Sequence, residues 1–180
     1  MELWNLYTPD RQNTGLTMQR GDPVPEGLCH LVVHVVIFNS RGEMLIQQRQ
    51  PFKAGWPNLW DVTVGGSAVA GDSSQSAAER EVLEEIGLPI DLTGNRPKLT
   101  IHFNVGFDDI YTLVQDVDLN ALTLQESEVQ AVKWAGEEEI QQMIREGSFI
   151  PYHSSLISLL FALRDQRGTI THRRNVECPR

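Results

Sequence analysis

Residues 30–38, HLVVHVVIF, form an apolar run broken only at His34, and its length and β-branched content predict a buried strand. NSRG then supplies a turn and EMLIQQR a partner strand, so the pattern predicts a hairpin. QPFKAGWPNLWD, with its prolines and glycine, reads as a loop, and VTVGG as a short strand running into a glycine turn. From Ser73 to Ile86 the period changes. Ala77, Ala78, Val82 and Ile86 recur at helical spacing, predicting a helix with one face on a core. Asp72 followed by Gln75 resembles a capping arrangement, Gly87 suits the left-handed residue that ends a helix, and Pro89 blocks continuation. KLTIHFNVGF and IYTLVQDVD predict two strands turning at Asp108 and Asp109, and EVQAVKW predicts a third. GEEEIQQMIREG reads as a short amphipathic helix and SSLISLLFALRDQ as a more apolar one packed against the sheet, while residues 1–27 read as an irregular arm.

Strands and helices interleave without a regular βαβ rhythm, and no repeat or polar linker divides the chain. The expectation is a single α/β (α+β) domain over residues 1–180, with a mixed sheet sandwiched between helices. No apolar run approaches the roughly 18 residues of a membrane span. The first residues lack both a basic segment and an apolar one, so a cytoplasmic protein is expected. Cys29 and Cys178 stand far apart without metal-ligand spacing and are expected to be free thiols. A net charge of -9 disfavours nucleic acid and anionic membranes as partners. It leaves phosphorylated small molecules open, provided that the chain supplies local cations. THRRNVECPR is the one basic tail and is assigned no role.

The helix carries the chemistry. Glu81, Glu84 and Glu85 stand at i, i+3 and i+4, so their carboxylates project from one face. Each like-charge pair costs only about 0.2–0.5 kcal/mol on an exposed helix, which keeps a merely solvated acidic face open as a reading. A divalent cation reverses the sign of the repulsion, because Mg²⁺ takes hard oxygen ligands from carboxylates, phosphates and water. Arg80 could fix one carboxylate through its bidentate fork, and the glycines before the helix permit a tight turn whose carbonyl faces the same ion.

Gly66, Asp72 and then Arg80-Glu81-Val82-Leu83-Glu84-Glu85-Ile86-Gly87-Leu88 resemble the Nudix box, G-x5-E-x7-R-E-U-x-E-E-x-G-U with U apolar. Asp72 replaces the first Glu, and every other fixed position matches. Six such matches have a chance probability on the order of 10⁻⁷ per window at ordinary residue frequencies. Flanking segments extend the resemblance over residues 28–150, leaving 1–27 as an N-terminal arm and 151–180 as a C-terminal helix and tail. The fold implied is the Nudix α/β/α sandwich with a loop-helix-loop catalytic motif.

What the resemblance implies is Mg²⁺-dependent hydrolysis of a phosphoanhydride in a nucleoside diphosphate derivative or other small organic diphosphate, with Mn²⁺ as a substitute. Glu84 and Glu85 match the principal metal ligands, Glu81 a ligand or general base, Arg80 the arginine that orients it, and the carbonyl of Gly65 or Gly66 a further ligand. Asp72 is expected to cap the helix, with a role toward the metal or Arg80 as the alternative. Glu126 and Glu128 could add a remote base or ligand, and Arg49 and Lys53 could touch substrate phosphate, against a solvated reading for each. Phe52, Trp56, Trp60 and Tyr111 could stack on a base, although core packing is the expectation. His30 and His34 share a strand face and are expected to be structural. Parts of the chain are also similar to isopentenyl diphosphate isomerases, whose catalytic cysteine and turn histidine align with Gly65 and Ser67, so both groups are absent here. An isomerase-like protein and a non-catalytic ligand-sensing module are the alternatives to a hydrolase. Nudix proteins are often dimers, and a homodimer is compatible with the sequence.

Overall fold

The computed structural model describes residues 2–165, 168 and 170. Its strands are β1 (Leu3–Tyr7), β2 (Asn13–Gln19), β3 (His30–Phe38), β4 (Met44–Arg49), β5 (Trp60–Asp61), β6 (Val64–Ser67), β7 (Leu99–Phe103), β8 (Gly106–Val114) and β9 (Val129–Ala135). The helices are α1 (Ser74–Ile86), α2 (Glu137–Glu146) and α3 (Ser154–Leu163). The tail THRRNVECPR and Cys178 lie outside the described residues, while Cys29 is a buried free thiol. Among the described residues no helix is long and apolar enough to cross a membrane.

β3 is the centre of a mixed sheet. Alternation sends Leu31, Val33, Val35 and Ile37 toward Ala77, Ala78, Val82 and Ile86 of α1, and Val36 and Phe38 toward Ile140 of α2 and Ile157, Leu160 and Phe161 of α3. Both faces are therefore covered, which explains why this strand is an apolar run rather than an alternating one. The predicted α/β/α sandwich is the observed architecture. β3 pairs in parallel with β8, from His30 beside Gly106 to Phe38 beside Val114, and β7 lies antiparallel outside β8.

On its other edge the sheet forks. The predicted hairpin exists only at its turn, where Phe38 sits beside Met44, and β4 then leaves to pair with β9 and β5. β6 takes the vacated edge of β3, with Gly66 beside Val33 and Gly65 beside His34. Buried Thr63 joins the two arms: its hydroxyl donates to the Leu45 carbonyl at 2.5 Å and accepts from the Ile37 amide at 2.9 Å.

Three other expectations are corrected. The N-terminal arm is not irregular, since β1 and β2 form an antiparallel hairpin docked by backbone bonds between Tyr7 and Cys29 and by the Ala70 amide on the Leu3 carbonyl at 2.7 Å. Helix α1 is capped by Ser73 rather than Asp72, with Ser73 and Ser76 satisfying each other's amides, which frees Asp72 for another partner. Asp108 and Asp109 do not form a turn. The turn is at residues 104–105, where the Phe103 ring lies over side-chain-free Gly106, and the two aspartates stand inside β8.

Asp109 belongs inside a strand because it is fully partnered there. Arg11 clamps it with two bonds of 2.9 and 2.7 Å, and the hydroxyls of Thr100 and Ser74 donate at 2.6 and 2.7 Å. Burial pushes its carboxyl up, but these donors and the Arg11 charge outweigh that and hold it below the usual range. Arg11 itself sits at φ 69 in the turn of the hairpin and covers the Phe107 ring at 4.4 Å.

Arg11→Met leaves Asp109 charged and short of its main donor. Discounting for the partial exposure of Arg11, chemical denaturation at pH 7 should show a loss of about 2–3 kcal/mol. A depressed carboxyl stabilises the fold above its unfolded pKa and loses that contribution as pH falls through its folded value, so the gap between variant and wild type should close below about pH 4.

Candidate active site

Two adjacent glycines on β6 face opposite ways, and each makes room for a different side chain. A Cβ at Gly66 would lie 2.2 Å from Glu81 Cδ and within 2.5 Å of both its oxygens, so the Glu81 carboxylate rests directly on the strand backbone. A Cβ at Gly65 would lie 2.4 Å from Cδ2 and Nε2 of His34. The absence of side chains is therefore a packing requirement on both faces of the strand.

Arg80 is the hub of the acidic cluster. It donates to Asp72 Oδ2 through Nε at 3.2 Å and Nη2 at 2.9 Å, and through Nη1 to Glu81 Oε1 at 2.9 Å and Glu84 Oε2 at 3.1 Å. Burial disfavours its charge, but Asp72 and Glu81 more than compensate and hold it firmly protonated. Asp72 thus fixes the arginine that fixes Glu81, the second of its two expected roles in place of capping. Of the three carboxylates, Glu84 is half-exposed, while Glu81 and Glu85 are covered. Burial pushes Glu81 up against the opposing pull of Arg80. Glu85 is 5% exposed, and burial pushes its carboxyl up to about 8 despite a 2.8 Å hydrogen bond from Gln47 Nε2, with Glu81 and Glu128 adding repulsion.

As they stand, these carboxylates are turned to protein partners, and among the described residues no three His, Cys, Asp or Glu groups converge as a ready-made ligand set. The donor chemistry nonetheless fits a hard divalent cation. All the groups are oxygens, and Glu85 is a buried carboxyl surrounded by negative charge with one neutral donor, which is where a cation gains most.

The remaining expected residues divide. Glu128 is brought to the cluster: its charge reaches Glu85, and Lys53 pairs with it at 2.5 Å. Glu126 is exposed on the loop before β9 and joins none of these pairs. Arg49 braces the 50–59 loop, with Nε on the Gly55 carbonyl at 3.1 Å and Nη1 3.8 Å from Asp61. Core packing was expected for the aromatics. Tyr111 meets it, whereas Phe52 and Trp56 on the Lys53 loop are 68% and 51% exposed. Trp60 is half-buried beneath the Lys133 ammonium.

His30 stacks on Trp4 at 4.5 Å, and its buried Nδ1 has no hydrogen-bond partner among the described residues. His34 is more than filler. Its Nδ1 lies 2.9 Å from Asp108 Oδ1; burial lowers its pKa, but that bond and the charges of Asp108, Asp61 and Glu85 together outweigh burial and raise it. Behind it Tyr152 donates to buried Asp61 at 2.8 Å. Gln47 was not among the expected site residues, and Asp108 was expected only in a turn. The signal for Gln47 was present, since it follows the apolar run of β4 at a position whose alternation partner, Leu45, faces α1.

Residues 29–154 match the family model for the NUDIX domain. The chain is 47% identical over 165 residues to an uncharacterized Nudix hydrolase of Listeria monocytogenes, covering 92% of this chain and 96% of that one. An isopentenyl-diphosphate Delta-isomerase of Halobacterium salinarum is 31% identical, but over only 45% of this chain and 38% of its own. A crystal structure from Deinococcus radiodurans superposes with a TM-score of 0.71 at 23% identity, over 88% of this chain and 98% of that one, and shows the shared fold. With the box helix, its glycine turn and the covering family match all on one chain, the protein belongs to the Nudix family.

Proposed function

We propose that the protein is a Mg²⁺-dependent diphosphohydrolase that cleaves a phosphoanhydride in a small organic diphosphate, with nucleoside diphosphate derivatives as the leading class. The observation that supports this most is the placement of three α1 carboxylates at the glycine turn, one resting on Gly66 and one buried. Glu84, Glu85, Glu81 and the Gly66 carbonyl would hold Mg²⁺ or Mn²⁺. When bound, the ion neutralises phosphate charge and lowers the pKa of a water.

The chain's own groups do the rest. Arg80 occupies Oε1 of Glu81 and leaves Oε2 to take the proton of the attacking water, and the raised pKa of Glu81 brings it nearer to a working general base. The water oxygen forms a bond to phosphorus, the bridging P–O bond breaks, and its electron pair leaves with the departing phosphate. Exposed Phe52 and Trp56, beside the Lys53–Glu128 pair, offer faces for a planar organic group. An isomerase would need a thiol at position 65, where the His34 ring takes the space. The reaction is assigned to the cytoplasm, with residues 1–180 working as one domain.

Product analysis with Mg²⁺ across nucleotide sugars, dinucleotides, nucleoside triphosphates and isopentenyl diphosphate tests the proposal. Glu85→Gln should lower turnover at least about a hundredfold, judged by the cost of disturbing metal ligands and their supports. Binding of diphosphates without any cleavage by wild type would instead favour a sensing module. Gly66→Ala should displace the Glu81 carboxylate and cost about 10²-fold in kcat with little change in melting temperature.

Glu85 adds a pH signature. Its folded pKa is raised, so the metal-free fold is favoured most below the unfolded value of about 4.3 and loses that contribution as pH rises through about 8. Metal binding must expel its proton, so the Mg²⁺-induced rise in Tm should grow with pH up to about 8 and then level off. In Glu85→Gln that growth should vanish.

A further inference from the structure

The acidic cluster raises a charge problem that the box does not solve. A diphosphate must approach Glu81, Glu84, Glu85 and Glu128, yet the nearby cations are committed: Arg80 to Asp72, Glu81 and Glu84, and Lys53 to Glu128. The N-terminal hairpin brings another. Leu3 of β1 stands beside Gln19 at the end of β2, and its carbonyl bonds Ala70 in the loop between β6 and α1. That clip ties the end of the hairpin that carries the next residue, Arg20, to the loop leading into the box helix.

Arg20 is anchored there rather than loose. Its amide donates to the Glu2 carbonyl at 2.9 Å, and its Nη1 donates to Glu2 Oε2 at 2.8 Å, while Trp4 Nε1 holds the other oxygen of Glu2 at 3.0 Å. Trp4 in turn is stacked on His30 of β3. One guanidinium nitrogen is thus used, Nε and Nη2 have no protein partner among the described residues, and the side chain is 59% exposed. The bond to Glu2 and the charges of Glu2, Glu128 and Glu81 favour its charged form over the effect of burial.

We propose that Arg20 is a ligand of the substrate's diphosphate, carried to the site by the N-terminal hairpin and aimed by Glu2 and Trp4. A planar fork with two free donor nitrogens suits a phosphate, and its charge offsets the carboxylates that would repel the anion. The inference rests on the diphosphohydrolase reading.

Calorimetry with Mg²⁺ and methylenediphosphonate, which keeps two phosphorus groups but resists hydrolysis, tests it on the full chain. Arg20→Ala should weaken binding about tenfold, as expected for a charge-assisted phosphate contact, and Arg20→Lys should recover part of the loss. Mn²⁺ titration of the same variant without the diphosphonate should match wild type, which shows that fold and carboxylates are intact. Equal binding of methylenediphosphonate by wild type and Arg20→Ala would overturn the inference while leaving the hydrolase reading standing. Failure of wild type to bind it at all, with no hydrolysis of the substrate panel, would overturn both.

Discussion

The close contact between the Glu81 carboxylate and the backbone of Gly66 governs the rest of the site. Ala77, Ala78, Val82 and Ile86 hold α1 on the sheet, and that packing sets the Glu81 carboxylate on Gly66 and buries Glu85 against Gln47. Two carboxylates are thereby stripped of water in a protein that already carries excess negative charge, an arrangement that costs stability unless each group finds a donor. Arg80 serves Glu81 and Glu84, Asp72 secures Arg80, and a single neutral amide serves Glu85. The fold therefore holds a partly compensated charge cluster in place, and shifted carboxyl groups gathered in this way are a mark of functional sites.

The sheet that supports this cluster is not a simple ladder. The strand bearing the glycines can reach β3 only because β4 departs after one register pair, and Thr63 bonds both arms where they separate. The fork lets one short segment present Gly66 to the box helix and Gly65 to His34. Opposite faces of adjacent residues thus serve opposite halves of the molecule.

Much of this was legible in the chain. The apolar run at 30–38, the helix over 74–86 and its glycine stop follow from local periodicity and turn chemistry, and the box residues from their spacing. What stayed hidden depends on contacts distant in sequence. Asp108 and Asp109 look like a turn because nothing nearby shows that Arg11, Thr100 and Ser74 surround one and His34 the other. The N-terminal hairpin has weak alternation, and its docking points at Cys29, Ala70 and Asp109 are scattered along the chain. Asp72 read as a cap because Ser73, an equally good cap, stood beside it.

The parallel pairing of β3 with β8 has a consequence for assembly. The glycine turn, α1 and β7 all lie between those strands in sequence, so forming the pair closes a long loop around the box. Such closure loses chain entropy before any contact rewards it and falls late in folding. A helix of 13 residues is marginal on its own, and α1 gains apolar partners such as Val33, Val35, Phe107 and Leu92 only once the sheet and its connecting loops have come together. The carboxylates therefore come together with the completed core, and a nascent or partly unfolded chain has no assembled acidic site.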